Sequence, residues 1–406
     1  MRPPIRTVIS ALLPALFSVA ADAAEWKIDP TISFRAGYND NLRMTINDKV
    51  STAEASFRPG AVFSRETAES GISGELRFNF RRFEEDSNLN DNNAWFETRA
   101  FRRMERSTIG LNASLVKDTT LDSQLKETGF VFDRIRRLRI NAGPNWTYNL
   151  SERSSVSVGY NYSDVQYQNT TNTLFVDYTL HSGQISLQRI LNESAAASLT
   201  TSFSRSENEN RTKSKNANLQ AGVSYRFSET LSGSLFAGAR YTETDFRRGS
   251  FDYVLSGDQI VGIIQRADNV SNSTNGYTFS GSLSKRFLRG ETSVSASRNI
   301  SNSINGVPVE VTRLGWNSRY RLTELLSVGL NLQLYNSEAD NKEGNSLNRN
   351  YYQIEPRFDW NFKKLWRFSG SYRYRRQTFD DTDDDAVQNA AYLTLTYLWP
   401  RIALSR

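Results

Sequence analysis

The 406-residue chain carries 50 Lys and Arg against 44 Asp and Glu, a formal charge of +6, and no cysteine. With 18 Tyr, 23 Phe and 7 Trp it holds too much aromatic surface for a disordered protein, and without cysteine it is neither a disulfide scaffold nor a thiolate metal site. Past the N-terminus no run reaches the roughly 18 apolar residues that a membrane helix needs.

The first residues read as an address. Arg2 and Arg6 precede an apolar stretch from Val8 to Ala20, and Ala21-Asp22-Ala23 sets small residues where a signal peptidase reads. Residues 1–23 are therefore expected to be a secretory signal peptide, with 24–406 as one mature domain. The stretch is too short, and too broken by Pro14, to remain as a membrane span.

From Trp26 the sequence alternates with period two, which puts successive side chains on opposite faces of a strand. Ile28, Pro30, Ile32, Phe34, Ala36 and Tyr38 share one face, against Lys27, Asp29, Thr31, Ser33 and Arg35 on the other. Ala53 to Phe63, Ile72 to Phe80, Ile109 to Leu115 and Val156 to Tyr162 repeat the theme. So do Ala217 to Phe227, Leu326 to Leu334, Tyr352 to Phe362, Trp366 to Tyr374 and Ala391 to Trp399. Connections alternate in length as well. Short ones at 65–70, 103–107, 149–153, 191–194, 227–231, 287–291, 321–325 and 362–365 interleave with long polar ones. The long ones fall at 84–93, 117–131, 206–216, 243–275, 336–350 and 377–386.

Strands of about ten residues, short turns at one end and long loops at the other are the pattern of a transmembrane barrel. A soluble sandwich would split so long a chain into domains, and no linker interrupts this one. The expected fold is all-β: an antiparallel up-and-down transmembrane β-barrel of eighteen strands, with sixteen as the alternative segmentation, long extracellular loops and short periplasmic turns. Trp26, Trp146, Tyr148, Trp360, Trp366 and Trp399 fall near the short-turn rim, and Tyr38, Tyr162, Tyr241, Tyr277, Tyr335 and Tyr374 near the other, as interfacial belts do. Such a wall implies an outer membrane of the Gram-negative type, with lipid, lipopolysaccharide and the barrel-assembly machinery as partners and no nucleic acid.

If the apolar face meets lipid, the alternate face lines a lumen. That face carries Arg35, Arg58, Arg77, Arg81, Arg139, Arg226, Arg313, Arg319, Arg357, Arg367, Arg373 and Arg375, together with Arg99, Arg240, Arg286 and Arg321. Fewer acids share it: Glu54, Glu75, Glu97, Glu355 and Asp359. Guanidinium groups keep their charge and present a planar fork to carboxylates and phosphates, so an anion-preferring lumen is expected. Phe101, Phe236, Tyr335 and Tyr392 on the same face offer surfaces for sugar rings. Some of the arginines are expected to pair with the lumen acids and brace the wall.

Three further features bear on function. The Asp-rich run at 380–385 lacks the spacing of a calcium loop and reads as a solvated loop, so no metal site is expected. The 243–275 connection has an apolar centre and suits a pore constriction, an outer cover or an extra hairpin. His181 shares a face with Ile185 and Leu187, which points it away from any Ser-His site. No enzyme activity and no cofactor are expected.

The segment Trp26-Lys27-Ile28-Asp29-Pro30 leading to Tyr38-Asn39-Asp40-Asn41-Leu42 resembles the opening of a family of outer-membrane β-barrel porins found with bacterial exopolysaccharide and surface-sorting gene clusters. The resemblance implies a conduit or assembly factor for an extracellular polysaccharide and carries no set of functional residues with it. Export of an anionic exopolysaccharide, aided by periplasmic export proteins, is the first functional expectation. A diffusion porin for small anionic or sugar solutes and a non-conducting structural or adhesive barrel are the alternatives.

Overall fold

The computed structural model describes residues 25–404 except 86, 121–133, 169–174, 210–211, 257–258, 303–307, 340–348 and 380–383. The expected signal peptide and most of the Asp-rich run lie outside the described residues. Among those described, the wall strands are β1 (Trp26–Asn39), β2 (Thr52–Glu66), β3 (Ser70–Phe83), β4 (Asp91–Arg103), β5 (Ser107–Thr119), β6 (Arg136–Ser151), β7 (Ser154–Gln168), β8 (Tyr178–Ile190) and β9 (Ala195–Asn208). They continue as β10 (Lys213–Arg226), β11 (Leu231–Ser256), β12 (Gln259–Phe287), β13 (Gly290–Asn302), β14 (Pro308–Arg321), β15 (Leu326–Ala339), β16 (Arg349–Lys363), β17 (Trp366–Phe379) and β18 (Asp385–Leu398). The expected barrel of eighteen strands is the observed one.

Every strand pairs antiparallel with the next. β1 closes the ring on β18, from Thr31↔Leu398 to Asn39↔Ala390. Closure removes both sheet edges, so the backbone groups of the wall find partners within it, as a strand crossing of hydrocarbon requires. After Pro400 a short β19 (Ile402–Leu404) pairs with Trp26–Ile28, one residue out of step with β18. No helix among the described residues is long and apolar enough to cross a membrane; the strands do it.

Alternation sorts the two surfaces. Outside, Phe34, Phe203, Leu235 and Leu393 are more than half exposed, which in water would be costly and in lipid is favourable. At the short-turn end the outward rings pack in sets, Trp366 with Tyr397 at 4.9 Å and Tyr397 with Trp399 at 5.4 Å, Trp146 with Tyr148 at 5.7 Å, and Trp360 with Phe362 at 5.4 Å. They form one girdle. His181 lies outside too, its Nδ1 2.6 Å from the Tyr160 hydroxyl. Inside, the polar residues face a lumen that eighteen strands leave too wide for side chains to fill.

Among the described residues, two connections at the long-loop end stand out, one by length and one by burial. The 243–275 segment is an extra hairpin: β11 and β12 simply continue beyond the wall, paired to Ser256↔Gln259 with one register shift at Val254/Leu255. Among the described residues the β1–β2 loop, residues 40–51, turns inward, as does Phe175 of the β7–β8 connection, packed on Val165, Tyr167 and Tyr178. Met44 of loop 40–51 packs against Tyr351 and Ala386, and its Leu42 against Phe83 and Leu89. Leu42 and Met44 also line the lumen cavity.

Sequence explains the turn inward. Asn39 Oδ1 accepts from the Asn41 amide at 3.0 Å, an Asx turn that bends the chain at the strand end. Asp40 accepts from the Asn389 amide at 2.6 Å and from its Nδ2 at 2.7 Å. Asn41, with no exposed surface, donates to the carbonyls of Thr45 at 2.8 Å and Val387 at 3.0 Å. Gln388 Nε2 donates back to the Asn41 carbonyl at 2.6 Å. The Asn-Asp-Asn triplet at residues 39–41 is thus a knuckle riveted to β18.

Candidate functional site

The register carries each arginine to its place. On β1 the inward residues are odd-numbered, and the pairing Gly37↔Tyr392 and Arg35↔Thr394 makes them even on β18. Followed round the ring, this parity puts all twelve arginines of the expected lumen set on the inner surface.

Seven of them converge. Arg35, Arg58, Arg77, Arg81, Arg139, Arg373 and Arg375 line one cavity of about 650 Å3 under the 40–51 loop. Arg319 and Arg357 line a second groove of about 390 Å3 nearer the short turns. The remaining three stand apart from both. Arg313 lies over the Tyr335 ring at 5.5 Å, Arg367 Nε donates to Asn361 at 2.9 Å, and Arg226 is the exposed last residue of β10.

Acids occupy some of these guanidinium forks. Arg373 grips Glu355 through two bonds of 2.7 and 3.3 Å, Arg81 reaches Asp91 at 2.6 Å, and Arg77 lies 3.0 Å from Glu75 and 3.6 Å from Glu97. In the lower groove Arg357 bonds Asp359 at 3.0 Å, with Arg319 3.9 Å away. Other forks meet neutral groups. Arg375 donates to Gln353 at 2.9 Å and Gln388 at 3.2 Å. The Arg35 guanidinium carbon lies over the Tyr392 ring, 3.4 Å from its centroid, and the closest oxygen of its carboxylate neighbour Glu54 is 3.9 Å away. Positive charge in this corner therefore exceeds what its acids neutralise, and a low-dielectric wall concentrates the resulting field in the lumen.

Several residues of the site escaped the sequence reading. Asp91 and Asp118 fall where a strand runs into a polar connection, and alternation alone assigns them to loops. In the structure Asp91 also takes Arg134 at 3.5 Å, and Asp118 holds the fully buried Arg137 at 3.1 Å. Trp95 lines the cavity with Arg77 5.7 Å from its ring, but its neighbour Phe96 masks the alternation. The inward loop had a readable signal in Leu42, Met44 and Ile46, alternating inside a polar segment.

No protein-family model matches the sequence, and no curated protein matches it. In shape the chain is similar to Pseudomonas aeruginosa OpdK, solved with vanillate, at 11% identity and a TM-score of 0.44, covering 93% of this chain and 99% of that one. It is similar to Acinetobacter baumannii OccAB3 at 8% identity and a TM-score of 0.45, with the same coverage. The copper transporter OprC aligns at 9% identity and a TM-score of 0.48, over 90% of this chain and 65% of that one.

Proposed function

We propose that the barrel sits in a bacterial outer membrane as a porin-like pore and passes small anionic solutes, anionic sugars among them. Passage is non-covalent: the solute exchanges hydration water for guanidinium forks at the upper cavity and again at the Arg319/Arg357 groove. One observation carries the reading. Seven arginines converge on a single cavity, and two of them, Arg35 and Arg375, have no carboxylate at hydrogen-bond distance. Lipid and lipopolysaccharide are the partners of the outer surface, and the assembly machinery is the partner during insertion.

Planar-bilayer recordings under a potassium chloride gradient test the reading. The reversal potential is expected to show anion selectivity, which weakens when Arg375→Gln and Arg319→Gln are combined. A cation-selective wild-type channel overturns it.

Outward passage of an anionic exopolysaccharide is the second reading. It uses the same arginines, but loop 40–51, bonded to β18 and packed on Tyr351, takes up part of the lumen beside the upper cavity. The loop favours solutes of discrete size. Liposome swelling separates the two: permeation by monosaccharides that falls off with oligomer length fits the pore for small solutes, whereas equal permeation by long oligomers fits the polymer conduit.

A further inference from the structure

On the outward face, near the long-loop rim, cations stand on several wall strands. Those of β9, β10, β13 and β17 each hold an acid: Arg205 and Lys213 share Glu207, Lys215 reaches Glu243, Arg298 reaches Glu310 and Glu338, and Arg376 holds Asp385. On β3 to β6 the pattern breaks. Arg82, Lys117 and Arg136 are exposed on the outward face, by the parity that turns Arg81, Val116 and Arg137 inward. None of the three meets a carboxylate among the described residues, Glu84 just beyond β3 included.

The register brings these cations together around Asn92. Arg82 Nη1 donates to Asn92 Oδ1 at 3.0 Å and to the Arg81 and Asp91 carbonyls at 2.8 and 3.2 Å, which aims the guanidinium across β4 and leaves its other two nitrogens open. Lys117 pairs with Ala94, two residues from Asn92, and with Leu138, two residues from Arg136. Each step joins diagonal neighbours roughly 7–8 Å apart, well within the reach of such long side chains. Toward β1, Arg82 closes the end of an apolar groove of about 580 Å3 on the lipid-facing surface. The row Ala36↔Ala55↔Arg82 carries two small side chains, and the row below it, Phe34↔Phe57↔Phe80, is a ridge of rings 5.1 and 6.2 Å apart. Two methyl groups above a ridge of rings make a trough, and at this level of a bilayer hydrocarbon fills it.

We infer that the outer surface of β1 to β6 carries a specific site for a phosphorylated, acylated glycolipid of the outer leaflet. Its phosphates meet Arg82, Lys117 and Arg136, and one acyl chain lies in the trough against Ala36 and Ala55. Charge selects the occupant: cations without an acid favour a lipid bearing more than one phosphate over a zwitterionic one. The paired cations elsewhere on the rim offer no such excess. The inference rests on the outer-membrane placement of the barrel, with its long connections outside, and not on its conductance.

The test uses the full barrel in detergent, titrated with lipid A bearing two phosphates and read by native mass spectrometry. One tightly held lipid A per barrel is expected. Phosphatidylglycerol and phosphatidylcholine should bind at least tenfold more weakly, and inorganic phosphate should not displace the lipid. Lys117→Gln combined with Arg136→Gln is expected to raise the half-saturating concentration about 25-fold, at about fivefold for each charge. Should that pair lack the heat-modifiable mobility of a folded barrel, Lys117→Gln alone carries the test, with a rise of about fivefold. Ala55→Phe, which fills the trough, is expected to raise the value severalfold. Lys215→Gln, whose cation is already paired, should leave it unchanged. An unchanged value in the folded Lys117 variants, or an equal rise with Lys215→Gln, overturns the site. Equal binding of phosphatidylglycerol overturns the glycolipid as its occupant, and displacement by inorganic phosphate overturns the part given to the trough. Recovery of the protein with the inner membrane on a density gradient overturns the outer-membrane placement beneath the proposal, a result distinct from weak binding in detergent.

Discussion

Replacing Asn41 by Ala should open the mouth of the barrel without unfolding the wall. The side chain gives two bonds, to the Thr45 and Val387 carbonyls at 2.8 and 3.0 Å, and takes one from the Thr45 amide at 3.1 Å, besides a long contact from the Thr45 hydroxyl at 3.4 Å that adds little. At about 1 kcal/mol net for each, their loss weakens the closed loop by about 3 kcal/mol. Every 1.4 kcal/mol is tenfold, so the open fraction should rise by about two orders of magnitude. Burial of Leu42 and Met44, worth about 1.5–3 kcal/mol each, still favours closure, so the loop should flicker rather than stay out. The wall keeps its ladders, because only the Val387 carbonyl of β18 loses a partner. Single-channel records should show more frequent excursions to a larger conductance. Trypsin should cut at the exposed Arg43 and Lys49 at a rate raised in the same proportion. A folded Asn41→Ala barrel with the cleavage rate and current of the parent would refute the idea that this loop is the cap.

Two other outcomes follow from the geometry. Gly37→Ala should displace the Tyr392 ring, since the added Cβ would lie 2.3 Å from it; strain of about 1–3 kcal/mol is expected, measured as a lowered midpoint of thermal unfolding. Deleting residues 247–268 removes the paired extension of β11 and β12 but none of the β10–β11 or β12–β13 ladder. Heat-modifiable mobility and conductance should match the parent, and a larger conductance would show that the hairpin covers the mouth.

The parts of this molecule that were legible in the sequence are those set by a wall between two solvents. Phe34 and Arg35 alternate because one meets lipid and the other the lumen, and that contrast survives in a single chain without any knowledge of pairing. Which lumen residues meet each other was not legible. Arg35 reaches Tyr392 only because β1 closes on β18, a contact between residues at opposite ends of the chain. The knuckle at Asn41 fastens to Val387, 346 residues away, so the inward loop looks like any polar connection until the ring is closed. Alternation also fixes the face of a residue without its height. Asp91 and Asp118 lie on the inner face at the upper ends of their strands, where the acid that clamps an arginine has the same local sequence as an acid in a loop.

Closing the ring also shows an asymmetry that alternation cannot. The guanidinium groups gather on β14 to β18 and β1 to β6. Along β7 to β13 the inner face carries Ser157, Gln184, Ser204, Asn216, Ser234, Ser282 and Ser295, many of them bonded to one another, as Ser234 is to Ser282 at 2.8 Å and Ser186 to Thr200 at 2.8 Å. The charges of this arc sit toward its two rims, and the upper one, Arg240, is bonded to Glu310. Between its rims, a lumen with most of its guanidinium groups on one arc and hydroxyls and amides on the other has a field running across it. In the proposed pore, that field would draw an anion to one side of the channel rather than to its axis. The chain's excess of positive charge matters less for its amount than for its uneven spread around a closed ring.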